Sequence, residues 1–259
     1  MDGWGNGVLI REVFASYAAA RRGEKISLPS AYDYGVFLNW LEDRPVEAEH
    51  AYWTDALKGF AEQVCLGRRL PESGYASRNF ECSEAETLFL EETARENRLT
   101  LNTLVQGAWA MLLKAHTGKV DVLFGVTVSG RPPELLGVEQ AIGLFINTVP
   151  ARVSLAHETS GLEWLQDLQS EQRKREQFGY GKLMDLQAFT EVPAGTPLFE
   201  SLLVFENYPI SLEEALAGTE SEFQLTEREG YERTNYPLTV VVIPGETLQV
   251  SFRYECEAL

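Results

Sequence analysis

Histidine and cysteine, the side chains that most often supply bases, nucleophiles and metal ligands, are few and dispersed in this chain. They are His50, His116 and His157, and Cys65, Cys82 and Cys256. No histidine lies near a cluster of serine, cysteine or carboxylate residues, and no cysteine pair has the CxxC spacing of a metal site. We therefore predict no metal site, and we expect each histidine to be a surface or helix-end residue.

The other candidates for chemistry are short polar residues that end or interrupt predicted strands. They are Ser129, Gly130, Arg131, Asn147, Asn207 and Asn235. Polar residues that a rigid scaffold presents in loops often line binding sites. Glycine, serine and asparagine at such places equally mark turns. The residue types alone leave both interpretations open.

The first helix must position another candidate pair, Asp2 and Gly3. An Asp-Gly pair normally marks a turn. Apolar residues recur at helical spacing in 6–22, and Gly23 is suited to end that helix. Exposed amide groups at a helix start favour a carboxylate, so Asp2 is expected to hold the start of this helix.

Further helices are predicted at 30–44 and 46–60, separated by Pro45. Two capping boxes, Ser83 with Glu86 and Ser160 with Glu163, predict helices at 84–97 and 161–177. Another helix is predicted from Leu101, with Gly118 closing it. Strands are predicted at 121–129 and 198–208, and a terminal hairpin at 238–243 and 247–254.

The strand at 121–129 has the most informative pattern of side chains. Valine and phenylalanine form one apolar face, whereas the other face contains Gly125 and ends in Thr127 and Ser129. A substrate channel wall needs such a small, polar-tipped face. Tight packing of a helix on Gly125 would explain the pattern equally well.

Composition restricts the class of protein and its partners. The 259 residues carry 39 acidic and 22 basic side chains, a formal charge of -17, which argues against a nucleic-acid partner. The odd, widely spaced cysteines indicate a reducing compartment. No signal peptide and no apolar run of membrane-spanning length is present in the sequence, so we predict a cytoplasmic protein without a membrane partner.

Two segments closely resemble motifs of condensation domains from nonribosomal peptide synthetases. Residues 142–148, Ile-Gly-Leu-Phe-Ile-Asn-Thr, match the family's Ile-Gly-x-Phe-Val-Asn-Thr with Ile146 as the one change, and 128–132, Val-Ser-Gly-Arg-Pro, precede them at a suitable distance. The opening Asp2-Gly3-Trp4 resembles the end of the family's His-His-x-x-x-Asp-Gly signature. If so, both histidines precede Met1.

Weaker likenesses occur along the rest of the chain. Residues 32–40 resemble the pattern Tyr-x-Asp-aromatic-Ala-x-Trp, with the aspartate displaced by one and Gly35 for alanine. Residues 197–209 resemble the segment before the bridging "latch" of peptide-forming members, and 213–222 are expected to be an exposed excursion. Residues 233–238, Arg-Thr-Asn-Tyr-Pro-Leu, are similar to the last motif, Arg-Asp-x-Ser-x-Asn-Pro-Leu, but are shortened.

The resemblance implies an α/β fold, an α+β two-layer sandwich with a mixed sheet flanked by helices, as in chloramphenicol acetyltransferase relatives. Such domains have two similar lobes arranged in a V with the reaction in a tunnel between them. Residues 1–45 would be the end of the N-terminal lobe and 46–259 the C-terminal lobe. The start of the domain would be missing.

The implied chemistry is amide-bond formation between carrier-bound aminoacyl or peptidyl thioesters. Asp2 and Gly3 would be motif remnants, Asp2 structural rather than a base, and Ser129, Gly130, Arg131, Asn147, Asn207 and Asn235 tunnel or motif residues. The partners would be peptidyl carrier domains, whose phosphopantetheine arms hold the substrates, and neighbouring synthetase domains. No cofactor or metal bound to this chain is implied.

Three functional hypotheses follow. The chain is part of a condensation domain and inactive alone, or a carrier-docking or scaffold protein that has lost catalysis, or a free-standing acyltransferase of the same fold. The motif run at 142–148 favours a peptide-forming member over an epimerising one. Apolar surface that a missing lobe would cover predicts self-association, most simply as a two-fold dimer.

Overall fold

The computed structural model describes residues 1–67, 74–156, 160–207 and 233–256. The chain divides into two compact units. Unit 1 comprises Met1–Arg44, Ser129–Ile146 and Asn207–Arg233, and unit 2 comprises Pro45–Val128, Asn147–Glu206 and Thr234–Leu259. Both units are therefore assembled from segments that are distant in sequence. The excursion predicted at 213–222 lies outside the described residues.

Unit 1 is built around two helices, α1 (Gly3–Arg21) and α2 (Tyr34–Asp43). The side chains of Asp2 and Asp33 cap them by accepting hydrogen bonds from the backbone N–H groups of Gly5 and Gly35, at 2.7 and 2.8 Å. Because these aspartates satisfy amide groups of the first turn, α1 begins earlier than the predicted 6–22 and α2 later than the predicted 30–44.

A small apolar cluster joins α2 to the second segment of unit 1. Phe37 packs against Val138, Ala141 and Phe145, and the ring centroids of Phe37 and Phe145 are 4.6 Å apart. Val138 belongs to a single 3₁₀ turn, Val138–Gln140. This cluster brings residues 129–146 beside the helices of unit 1.

Unit 2 contains a six-stranded mixed sheet. Its strands are β1 (Tyr75–Glu81), β2 (Asp121–Val128), β3 (Asn147–Ser154), β4 (Ser201–Phe205), β5 (Leu238–Ile243) and β6 (Gln249–Glu255), in the order β1-β6-β5-β4-β2-β3. β4 pairs in parallel with β2 and with β5, and the remaining pairs are antiparallel. The predicted terminal hairpin is the β5–β6 pair.

The helices of unit 2 are α3 (Glu47–Leu57), α4 (Glu84–Glu96), α5 (Leu101–Thr117), α6 (Gly161–Gln177) and the short α7 (Leu183–Leu186). Both capping boxes form, at the starts of α4 and α6. Gly118 ends α5 in the left-handed conformation. α5 contacts α4, α6 and β2, so the mixed sheet is flanked by helices, as the predicted fold class requires.

The face of β2 that contains Gly125 is buried in the core of unit 2. A Cβ on Gly125 would lie 2.3 Å from the Phe199 ring and 3.1 Å from the Leu202 side chain. The packing alternative therefore applies at Gly125, with an aromatic ring in the place of the expected helix. The side chains of Leu123 and Phe124 beside it are fully buried.

Candidate functional site

The carboxylate of Asp2 is fully buried in unit 1 and makes four hydrogen bonds. Oδ1 accepts from the Gly5 N–H at 2.7 Å and from Nη2 of Arg131 at 3.0 Å. Oδ2 accepts from the same Nη2 at 3.2 Å and from the Phe145 N–H at 3.2 Å. An ionised carboxylate offers about four acceptor positions, so Asp2 is saturated.

The Arg131 guanidinium connects the start of α1 to the segment that carries the motif run. Besides Asp2, its Nη1 donates to the carbonyl oxygens of Val138 and Ala141. The guanidinium also lies over the Phe145 ring, 4.0 Å from its centroid, and 5.2 Å from that of Trp4. Burial lowers the pKa of Arg131 below its ordinary value, and the Asp2 carboxylate opposes that shift.

Two glycines let backbone segments of unit 1 approach one another closely. Gly130 has φ +60°, and a Cβ there would lie 1.9 Å from the Phe145 carbonyl oxygen. A Cβ on Gly143 would lie 2.4 Å from the ring of Tyr34, whose hydroxyl donates to the Leu144 carbonyl at 2.5 Å. The Gly143 carbonyl oxygen accepts the Asp2 backbone N–H at 3.0 Å. Only glycine fits at these two positions without displacing its neighbours.

Asn147 holds a turn of unit 2. Its Nδ2 donates to the carbonyl oxygens of Gly179 and Gly181 at 2.9 and 2.8 Å, and its Oδ1 accepts from the Thr148 N–H at 2.9 Å. The Trp53 indole N–H donates to the Phe178 carbonyl in the same turn, at 2.9 Å. Asn147 thereby ties the start of β3 to the connection between α6 and α7.

The structure brings together some of the predicted site residues. Asp2, Gly130 and Arg131 form one buried group in unit 1, next to the exposed Gly3 and Ser129. Asn147 and Asn235 belong to unit 2, where Asn235 is exposed. Asn207 is exposed at the end of the segment that follows β4.

Aromatic residues of unit 1 complete the group, and only an indirect signal for them exists in the sequence. Phe145 and Tyr34 lie within the two aromatic motif segments but are not among the predicted site residues. Trp4 follows the Asp-Gly pair, and its indole N–H donates to the Glu139 carbonyl at 2.8 Å. Their shared feature, contact with Arg131 or with the backbone around Gly143, depends on tertiary structure.

The two described histidines of unit 2 make local contacts. Nε2 of His116 lies 2.7 Å from the Leu66 carbonyl oxygen, and the His50 ring contacts Phe189. His157 lies outside the described residues. Within those residues, no group of three or more His, Cys, Asp or Glu side chains could hold a metal ion, and no helix could cross a membrane.

Comparison with known proteins places these features in a family. The family model described as Condensation domain matches residues 1–258. The chain is 39% identical over 262 residues to a linear gramicidin synthase of Brevibacillus parabrevis, covering 98% of this chain. It is 36% identical to the chondramide synthase of Chondromyces crocatus, covering 100% of this chain. It spans only 5% and 7% of the lengths of these two synthases.

Solved structures show the same fold at lower sequence identity. The first condensation domain of the CDA synthetase is similar with a TM-score of 0.75 and 18% identity, over 100% of this chain and 57% of that one. The X-domain from teicoplanin biosynthesis is similar with a TM-score of 0.74 and 20% identity, over 100% and 62%. With the family model matching nearly every residue, the chain belongs to the condensation-domain family.

Proposed function

We propose that this chain forms part of a condensation domain that joins carrier-bound aminoacyl or peptidyl thioesters by an amide bond. The observation that carries the proposal is the buried Asp2–Arg131 group, which unites the opening Asp-Gly with the two motif segments around Gly130 and Phe145. The family match over residues 1–258 supports the same function.

In this proposal the acceptor amine attacks the thioester carbonyl of the donor. The new C–N bond forms as the C–S bond breaks, the donor carrier's thiol leaves, and the amine loses a proton. An imidazole with a pKa near 6.5 is suited to accept that proton or to position the amine. The two histidines of the family signature are expected before Met1, and the chain alone is expected to be inactive.

The proposed role of Asp2 is structural, because its four hydrogen bonds leave no acceptor position for a substrate proton. Arg131 and Gly130 hold the motif segment against α1. Ser129 is exposed next to this group and is proposed to face substrate. Asn147 is proposed to position the turn at Gly179–Gly181 rather than to contact substrate, because both hydrogens of its amide are used there.

The substrates are proposed to arrive on the phosphopantetheine arms of peptidyl carrier domains, with neighbouring synthetase domains as further partners. Asn207 and Asn235, both exposed, are proposed as tunnel or motif residues. We also propose that residues 1–45 belong to the N-terminal lobe of the domain and 46–259 to the C-terminal lobe.

The test is an amide-formation assay with a donor and an acceptor carrier domain, each loaded with an amino acid. It compares the chain alone with the same chain preceded by a condensation-domain segment that contains the two histidines. We expect a dipeptide on the acceptor carrier only in the second case, by mass spectrometry of the intact carrier. A folded, extended protein that transfers no donor onto any of a panel of acceptors would refute the proposal.

A further inference from the structure

Unit 2 contains a cleft of about 550 Å³ that the proposed function does not use. Its walls come from α3, β3 and α6, and include Tyr52, Trp53, Val153, Trp164 and Leu168. Volume and lining are in the range of sites that bind small molecules, which are largely apolar with a few polar groups. The polar group that decides what this cleft can bind is Arg175 of α6, which also lines it.

The Arg175 side chain is an incompletely paired cation inside the protein. The residue is only 3% exposed, and its one hydrogen bond to a described residue runs from Nη2 to Oε1 of Gln106, at 2.8 Å. Its Nε has no hydrogen-bond partner among the described residues. A buried charge that faces only a neutral amide is costly, so this site favours an added anion.

The nearby charged side chains are engaged elsewhere. Glu171 precedes Arg175 by one helical turn, a spacing at which such residues often pair, but its Oε1 binds Nζ of Lys174 at 2.7 Å. Oε1 of Glu176 accepts from the Gln172 amide at 3.3 Å. The other arginine of the cleft, Arg152, is bound to the Asp121 carboxylate, at 2.7 Å for Nη2.

Tyr52 adds a hydroxyl donor next to Arg175. Burial raises the pKa of Tyr52 to about 12, the positive charge of Arg175 opposes the shift and the Glu171 carboxylate adds to it. The phenol therefore stays protonated at neutral pH and can donate to an anion. A guanidinium and a phenol together suit a carboxylate.

Two carboxylates on the same stripe of α6 restrict the kind of anion. Asp167 and Glu171 line the cleft one and two helical turns before Arg175. They would repel a doubly charged phosphate. They would attract an ammonium group held a few ångströms from the carboxylate that binds Arg175.

We propose that this cleft binds a free α-amino acid with a bulky apolar side chain. Its carboxylate contacts Arg175 and the Tyr52 hydroxyl, and its ammonium group faces Asp167 and Glu171. The side chain packs against the rings of Trp53 and Trp164. This site is separate from amide formation, in which the reacting amino acids are thioesters without a free carboxylate, and its test does not depend on that activity.

The test is isothermal titration calorimetry of the 259-residue chain with L-phenylalanine, N-acetyl-L-phenylalanine, L-phenylalaninamide and inorganic phosphate. We expect saturable binding of phenylalanine. Each derivative that lacks one charge should bind about tenfold more weakly or worse, as expected for a lost hydrogen bond to a charged group. Arg175→Gln should weaken phenylalanine binding as much. The matched control Arg173→Gln removes an exposed arginine of the same helix and should leave binding within about twofold, as expected for a distant surface charge.

The proposal is overturned if phenylalanine gives no saturable heat at millimolar concentration, or if either blocked derivative binds as well as phenylalanine. Competition by phosphate at equal concentration would also overturn it, as would unchanged binding by a folded Arg175→Gln. If Arg175→Gln fails to fold, the comparison of ligands on the unaltered chain still decides.

Discussion

The Asp2–Arg131 pair is the residue-scale feature that separates structural from chemical roles. Both side chains are almost fully buried, Asp2 at 0% and Arg131 at 5% exposure. Asp2→Asn keeps the shape of the side chain but removes its charge and leaves the guanidinium buried without its counter-ion. We expect the free energy of unfolding to fall by about 3–5 kcal/mol in chemical denaturation.

The control for this substitution is Glu24→Gln, which breaks the Arg22–Glu24 pair on the surface of the same unit. Both side chains of that pair are 57% exposed, at an N–O distance of 2.9 Å. The expected loss is below about 1 kcal/mol. Equal effects of the two substitutions would contradict the structural role of Asp2.

Gly130 provides a second residue-scale prediction. Gly130→Ala should cost more than Gly23→Ala, although both glycines have positive φ, +60° and +69°. The Cβ at Gly23 would have no neighbour within 4 Å, so only backbone strain of about 1–2 kcal/mol is expected. At Gly130 the clash with the Phe145 carbonyl adds about 1–3 kcal/mol. Similar denaturation midpoints for the two variants would show that the segments around Gly130 do not pack this closely.

At the scale of elements, the capping box of α4 predicts a pH dependence. The pKa of Glu86 is lowered from its ordinary value of 4.5 by hydrogen bonds from the Ser83 hydroxyl and backbone N–H. Because the folded-state pKa is depressed, this stabilisation is present above the ordinary pKa and is lost as pH falls through the lowered one. Ser83→Ala should therefore reduce the loss of stability below pH 4.5.

The measurement is the denaturation midpoint as a function of pH for the two proteins. Glu91→Gln removes an exposed carboxylate of the same helix outside the cap and should keep the original pH dependence. If Ser83→Ala and the unaltered chain lose stability in parallel below pH 4.5, the box does not contribute as the structure indicates.

The elements also show which parts of the fold were predictable from sequence. The helices α4 and α6 begin where Ser83 and Ser160 predict, because a capping box is complete within four residues. The hairpin of β5 and β6 was predictable because its strands are adjacent in sequence. The insertion of β4 between β2 and β5 in parallel was not predictable, because it depends on pairing between distant strands.

The same distinction applies to the candidate site. Motif resemblance selected Asp2, Gly130, Arg131 and Asn147 one at a time. Their partners lie far along the chain: Arg131 binds a carboxylate 129 residues away, and Asn147 binds carbonyl groups 32 and 34 residues away. Arg175 carried no sequence signal, because the charged end of its helix is typical of a solvated face.

At the scale of the whole molecule, exposed apolar residues on α1 favour the predicted self-association. Leu9, Val13 and Tyr17 recur every four residues and are 39%, 55% and 41% exposed. We expect a dimer in analytical ultracentrifugation at micromolar concentration, and Val13→Glu should shift it toward monomer. Leu136→Ser, at a 97% exposed loop position, is the control and should leave the dimer intact. A monomeric unaltered chain would contradict the prediction.

The central claim is that Asp2 supports amide formation by holding Arg131 and the Phe145 backbone, without moving a proton. The most direct test is the pH–rate profile of dipeptide formation by a synthetase that contains this sequence, with and without Asp2→Asn. The account predicts a lower rate with a profile of unchanged shape, in step with the loss of folding stability. A folded Asp2→Asn protein of normal stability whose profile lacks one ionisation would contradict it.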